Sequence, residues 1–347
     1  MRAVVFSEFG GTPEVREIDA PKAPAHGAVI RVEATGVCRS DWHGWMGHDP
    51  DIRLPHVPGH EFAGVVDSVG AAVTKWHVGD RVTVPFVCAC GTCDACRAGE
   101  HQVCEHQTQP GFTHSGSFAE YVHIDHTDVN LVRLPDSVDF VSAAALGCRF
   151  ATAFRAVNVH GHVRQGQWVA VHGCGGVGLS AVMIATMLGA RVIAIDVSRD
   201  ALEMALGLGA VATLDANSVG DVGTAVIELT SGGAHVSLDA FGSEASCAAS
   251  IESLRRRGRH VQIGLLPEAM GRPTVPMARV VWLELSLHGS HGMAAHDYEP
   301  MLAHVAAGTL RPDLLVRDVI TLDEAPAALM SMSEASPVGA TVIRPFA

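Results

Sequence analysis

Two different hydrophobic rhythms divide the chain. Up to about Asp139, short apolar–polar alternations are broken by Gly and Pro, as in AVIRVEATGV, EFAGVVDSVG, DRVTVPFV and SFAEYVHI. Alternation with turn residues at such short intervals predicts a β-rich, barrel-like domain. From Trp168 onward, apolar strands alternate with helical stretches. WVAVH precedes a helix through Ala181–Leu188, and RVIAID precedes one near Asp200–Leu208. AVATLD is followed by a helix near Val222–Leu229, HVSLDA by one near Glu244–Leu254, then come RHVQIG and LSLHGS. Six strands with helices between them predict a parallel, doubly wound α/β sheet. The tail from about His291 carries helical segments and the strand-like ATVIRPF, and is expected to return to the first domain.

The first turn of the doubly wound half carries Gly173-Cys174-Gly175-Gly176-Val177-Gly178, directly after the strand Trp168–His172 and opening a helix. With 36 glycines in the chain, a lone G-x-G-x-x-G means little. In this strand–turn–helix context the three glycines serve distinct ends. The first permits a tight turn, the second close approach to a pyrophosphate, and the third close packing of helix on sheet. The helix N-terminus then offers its unpaired N–H groups to phosphate. Asp196 ends the next strand, eighteen residues after Gly178. A carboxylate there accepts from ribose hydroxyls and repels a 2′-phosphate, which favours NAD over NADP. Arg199 is the competing signal, and Asp196 would also suit an N-cap of the following helix.

Composition narrows the partners. The chain has 347 residues, enough for two domains with real cores. Apolar content of 48% and a mean hydropathy of +0.23 describe a globular chain. The net charge of −13 argues against a nucleic-acid backbone as partner. MRAVVFSEFGG reads as a strand and turn without the apolar core of a signal peptide, and no run of about twenty apolar residues suggests a membrane span. A cytoplasmic, reducing setting is expected.

Four of the nine cysteines, Cys90, Cys93, Cys96 and Cys104, fall within fifteen residues as C-x2-C-x2-C-x7-C. Two disulfides would fit a small secreted domain rather than a long chain of this kind. Four soft thiolates converging from one short loop suit tetrahedral zinc, and Gly91 and Gly99 let the backbone turn around an ion. Four protein ligands leave no position for substrate, so this site is expected to be structural.

Cys38 in GVCRSDWH, His60 in PGHEF and Cys148 in ALGCRF prove nothing by spacing alone. Together with the four-cysteine lobe, the glycine loop and Asp196, in that order, they give the chain a whole-length resemblance to the zinc-containing alcohol dehydrogenases of the medium-chain dehydrogenase/reductase family. The resemblance implies a GroES-like catalytic domain over 1–149 and 288–347, with a structural-zinc lobe at about 88–106, and a Rossmann NAD-binding domain over 150–287. It implies two Zn²⁺ per chain, the catalytic one held by Cys38, His60 and Cys148 with one position open. These dehydrogenases are themselves a standing example of a Cys₂His zinc of that kind. By the same resemblance Glu61 is a nearby carboxylate sometimes credited as an exchange ligand, and Asp41 fixes the tautomer of the zinc histidine. Ser40 and His43 match the proton relay, with the nicotinamide ribose hydroxyl between them. Arg39 and Arg344 match positions that meet the cofactor pyrophosphate. Phe86 and Phe112 match walls of the substrate pocket. For Asp41 a cap of the helix after Cys38, for the arginines a solvated charge, and for the phenylalanines plain core packing are the other readings.

The implied reaction is hydride transfer between an alcohol and NAD to give an aldehyde or ketone, with zinc lowering the alcohol's pKa. Polyol and threonine dehydrogenase relatives usually carry a carboxylate around the third ligand position, so Cys148 favours the alcohol branch. Cinnamyl-alcohol relatives usually use NADP and lack an acid where Asp196 stands. A polyol or amino-alcohol dehydrogenase, or a non-catalytic dinucleotide-binding relative, remain the alternatives. The short segment between Phe112 and Tyr121 lacks the insertion of the dimeric animal enzymes, which points to a homotetramer.

Overall fold

The structure, a computed structural model, describes residues 1–266, 273–333 and 338–347. It divides into two compact units, one of Met1–Ala151 with Gly292–Ala347, the other of Thr152–His291.

The first unit is built on a seven-stranded sheet. Its order is Val316–Thr321, Ala340–Arg344, Ala28–Val37, Glu61–Val69, Arg81–Thr83, Val132–Arg133, and Tyr121–Ile124 also pairs with Ala28–Val37. All pairings are antiparallel except that of Val316–Thr321 with Ala340–Arg344. The register between Ala28–Val37 and Glu61–Val69 shifts twice, at Val29/Ile30 and Val32/Ala34. Such bulges bend and coil a sheet, which closes it toward a barrel. Ile30, Val32, Phe62, Val66, Val82 and Ile124 fill the interior, each contributing about 1.5–3 kcal/mol by burial.

DRVTVPFV forms a ladder only over Arg81–Thr83. Pro85 has no N–H to give, and the chain beyond it runs buried toward the cysteine lobe. SFAEYVHI is likewise a strand only over Tyr121–Ile124. Between residues 140 and 160, where the sequence pattern assigns no element, the chain is helical: Phe140–Ala144, a π-helical turn Leu146–Phe150, Ala151–Arg155, and a second π turn Ala156–His160. Small residues dominate this stretch, so it shows neither the strand period nor a clear amphipathic stripe.

The second unit is a six-stranded parallel sheet in the order Ala212–Asp215, Arg191–Asp196, Trp168–His172, Ala234–Asp239, Leu254–Gln262, Ser286–Gly289. Numbered along the chain this is 3-2-1-4-5-6, a doubly wound sheet whose order reverses beside the strand Trp168–His172. The expected strands and helices are all present. The first helix, Gly176–Met187, takes its opening turn from the last residues of the glycine loop. The helix expected to run to Leu254 ends at Glu252, and Leu254 already belongs to the next strand.

Candidate metal centres and cofactor site

The lobe brings its four cysteines into one buried cluster whose ligand atoms all lie within 4.8 Å of one another. Cys93 Sγ lies 3.7 Å from Cys104 Sγ, and Cys90 Sγ 4.0 Å from Cys96 Sγ. Tetrahedral zinc with bonds of about 2.3 Å requires sulfurs about 3.8 Å apart, whereas a disulfide requires about 2.05 Å. Backbone N–H groups of Cys93 and Thr92 donate to Cys90 Sγ, and those of Cys90 and His106 donate to Cys104 Sγ. Hydrogen bonds from Thr92, hydroxyl and backbone, bring the Cys90 thiol down to about 5, so it is poised as a thiolate. Cys88 lies outside this cluster. It is buried beside the bridge to Thr108, and burial pushes its thiol pKa up.

The dispersed trio also converges. Cys38, His60, Glu61 and Cys148 place ligand atoms within 4.8 Å of one another. Cys38 precedes the helix Arg39–Trp45, His60 immediately precedes the strand Glu61–Val69 that Glu61 opens, and Cys148 sits in the π turn Leu146–Phe150. A π turn shifts side chains off the regular helical register, and such turns concentrate at functional sites. Gly59, at φ +108°, lets the chain turn into His60; a Cβ there would lie 2.5 Å from the Phe118 ring.

Asp41 organises the trio. One oxygen lies 2.8 Å from His60 Nδ1 and accepts from Gly59 N–H, while the other accepts from Cys38 N–H at 2.9 Å. Nδ1 must donate to the carboxylate, which leaves Nε2, buried and without a hydrogen-bond partner, as the nitrogen a metal ion would take in exchange for a proton. An orphaned, buried nitrogen aimed at two thiols fits a metal ligand. Burial alone would lower the His60 pKa, but Asp41 outweighs it and holds it well above the ordinary value. A hydrogen bond with Cys148 holds the Cys38 thiol well below its ordinary range, and the same bond raises Cys148. Asp41 is thus both the helix cap and the partner of His60; the two readings of its role coincide.

Glu61 is fully buried and clamped by Arg149, whose Nε lies 2.9 and 3.0 Å from the two carboxylate oxygens and whose backbone N–H donates to Oε1 at 2.9 Å. Burial raises the Glu61 pKa against the opposing pull of Arg149. Nothing in the sequence pattern marks Arg149, although it directly follows Cys148 as Glu61 directly follows His60.

Ser40 Oγ lies 3.8 Å from Cys38 Sγ. His43 meets a partner that the sequence pattern does not single out, His48, with the two Nδ1 atoms 2.9 Å apart. Burial, then Arg39 and His48, lower the His43 pKa. Arg39 stacks on the Trp42 ring at 3.8 Å and donates to the Met332 carbonyl. The ring centroids of Phe112 and Phe86 lie 5.3 and 6.2 Å from that of His60. Phe112 also packs with Phe6, Trp45, Ile52 and Leu329, so it belongs to the core and borders the site at once. Arg344 is exposed at the end of the strand Ala340–Arg344.

In the second unit the glycine loop lies at the C-terminal end of the strand Trp168–His172, at the switch in strand order, and opens the helix Gly176–Met187. A Cβ on Gly178 would lie 1.8 Å from the Gly173 carbonyl, whereas one on Gly175 would meet nothing within 4 Å. The third glycine is therefore dictated by packing, and the second faces open space, as a phosphate cradle requires. Asp196 accepts from the N–H groups of Cys174, Val197 and Ser198 at 2.6, 2.8 and 2.8 Å. The N-cap of the following helix is Ser198, which accepts from Ala201 N–H. Cys174 is buried, with its pKa pushed up by that burial, so it behaves as a small core residue.

Two family models match the chain: the alcohol dehydrogenase GroES-like domain over residues 24–136 and zinc-binding dehydrogenase over residues 176–307. An alcohol dehydrogenase of Geobacillus stearothermophilus is 34% identical over 326 residues, covering 93% of this chain and 94% of its own. Among solved structures, alcohol dehydrogenase TADH from Thermus sp. ATN1 superposes with a TM-score of 0.90 at 32% identity, covering 99% of each chain. The 2R,3R-butanediol dehydrogenase of Bacillus subtilis gives 0.85 at 27% identity, again over 99% of each. The chain belongs to the zinc-type alcohol dehydrogenases of the medium-chain dehydrogenase/reductase family. Its first unit carries the GroES-like domain and its second the Rossmann-like one. Among the described residues no helix is long and apolar enough to cross a membrane.

Proposed function

We propose that the chain is an NAD-dependent alcohol dehydrogenase that uses two Zn²⁺ ions, a catalytic one on Cys38, His60 and Cys148 and a structural one on the four-cysteine lobe. The observation that carries this reading is the orphaned Nε2 of His60, fixed by Asp41 and converging with two thiols. Asp196 at the end of its strand supports NAD over NADP, because its negative charge repels a 2′-phosphate. The short segment between Phe112 and Tyr121 supports a homotetramer, and the composition a cytoplasmic setting.

When bound, zinc supplies Lewis-acid stabilisation of negative charge on the substrate oxygen, and the nicotinamide supplies the hydride acceptor. The chain's own groups do the rest. Asp41 keeps the His60 lone pair directed inward. Phe86 and Phe112 bring apolar faces to His60 and exclude water from that side. Ser40 is the group to take the substrate's hydroxyl proton, and His43, its pKa lowered by burial, is neutral near pH 7 and ready to receive it. His48 extends that route, since one Nδ1 of the 2.9 Å pair donates to the other. Glu61 is held by Arg149 and acts as a buried counter-charge near the ligands. Arg39 and Arg344 are the candidate pyrophosphate contacts.

The test is steady-state kcat/KM for primary, secondary, aromatic and polyol substrates with NAD and with NADP, together with zinc content per chain. Turnover of simple alcohols with NAD supports the reading; full activity with one zinc or none overturns it. The likeness to butanediol dehydrogenase keeps a diol substrate as the second reading, and the same panel separates the two.

A further inference from the structure

His114, His123 and Asp125 bring one ligand atom each within 4.8 Å of one another, apart from both cysteine-containing clusters. The two rings are packed with centroids 4.2 Å apart. His114 Nδ1 lies 3.0 Å from the Ser115 carbonyl. A carbonyl only accepts, so Nδ1 carries the proton and the lone pair is at Nε2. That nitrogen is buried and has no hydrogen-bond partner. His60 shows the same signature: Nδ1 tied by an oxygen, Nε2 orphaned, and further donor residues clustered around the ring. Leaving such an acceptor bare costs about 1–3 kcal/mol unless something occupies it.

We propose that His114, His123 and Asp125 form a further metal site, for a divalent first-row cation of the zinc type. Two imidazoles and a carboxylate are a donor set for zinc, cobalt or nickel, with the remaining positions left to water. A cavity of ≈ 350 Å³, lined by His123, Ser115, Tyr121, Asp19 and Lys22 among others, borders the site on the His123 side.

Such an ion would pin a loop that touches the active centre. Gly111 N–H donates to the His114 carbonyl at 2.8 Å, and Gly111 and Gly116 pack so closely on Gly59 that a Cβ on either would lie 2.6 and 2.2 Å from the Gly59 carbonyl. Phe112 lies between them in the same loop, beside His60. The cation would join this loop to the strand Tyr121–Ile124, making the position of Phe112 metal-dependent.

Equilibrium dialysis of the zinc-loaded enzyme against zinc at about 1–100 µM, with retained metal measured per chain, tests this. Wild type is expected to retain one more ion than His123→Gln or Asp125→Asn, whatever the occupancy of the cysteine clusters. Zinc should also raise the melting midpoint of wild type by about 2 °C or more, and that of neither variant. Alcohol turnover measured before zinc is added should be the same in wild type and both variants, and only that of wild type should change as zinc is added. Equal zinc uptake and equal melting shifts in wild type and a folded variant would overturn the proposal. If one variant fails to fold, the other carries the comparison.

Discussion

Asp41 holds His60 by a 2.8 Å bond to Nδ1 while its second oxygen holds the backbone N–H of Cys38, so one buried carboxylate sets two ligands of the proposed catalytic metal. Removing its charge without changing its shape separates the two roles. Asp41→Asn should keep the fold but weaken retention of one zinc by about 10–100-fold, the usual cost of losing the partner of a ligating histidine. Competition with a chelator, read by metal analysis, measures it. Unchanged retention would remove Asp41 from the ligand set's support.

Glu61 and Arg149 are a buried ion pair, and the two changes that break it are not equivalent to removing it. Arg149→Met leaves a fully buried carboxylate alone and should cost about 3–5 kcal/mol of stability, part of which Glu61 can recover only by taking up a proton. The double variant Glu61→Gln/Arg149→Met should recover much of the loss. Denaturant midpoints of the single and double variants decide it, since an additive double variant would contradict coupling.

The lobe should govern stability rather than chemistry. Cys93→Ser is expected to lose one zinc per chain and to melt at lower temperature, while kcat measured below its midpoint changes by less than about twofold. A large loss of kcat with an unchanged midpoint would reverse the roles assigned to the two clusters.

Asp196 should set cofactor choice. Asp196→Ser removes the carboxylate that would meet the ribose and should raise the KM for NAD by about tenfold while that for NADP falls, since a charge-assisted hydrogen bond is worth about 1.5–3 kcal/mol. The bonds from Cys174, Val197 and Ser198 N–H mean that some of the loss will be structural, so the ratio of kcat/KM for the two cofactors is the readout.

How much of this could be read from the chain follows from distance along it. The four lobe cysteines and the glycine loop are local, so their spacing already states the geometry. The doubly wound strands were legible because buried parallel strands are continuous apolar runs. Cys38, His60 and Cys148 required the fold to bring them together and were recognisable only through resemblance. Arg149 was hidden for a different reason: its role depends on the π turn that aims it at Glu61, and no side-chain periodicity announces such a turn. His48 and the pair His114 and His123 were lost among twenty histidines, because orphaned nitrogens and fixed tautomers exist only in three dimensions.

The buried histidines also predict how stability depends on pH. His172 ends the strand that leads into the glycine loop, is 2% exposed, and its Nε2 has no hydrogen-bond partner. Burial, with a smaller push from His260, brings its pKa down to about 3, against an unfolded value near 6.5. Between those values the unfolded chain binds a proton that the native chain refuses, so stability rises with pH across that window and is lost as pH falls from about 6.5 toward 3. His172→Gln keeps a polar side chain but cannot titrate. Its denaturation midpoint should vary less steeply with pH than that of wild type between about pH 6.5 and 4.5, with the two curves running parallel above pH 7. Other groups, the metal ligands included, titrate equally in both proteins and cancel in the comparison. Parallel curves across the whole range would mean that His172 takes up its proton in the native state as readily as in the unfolded chain.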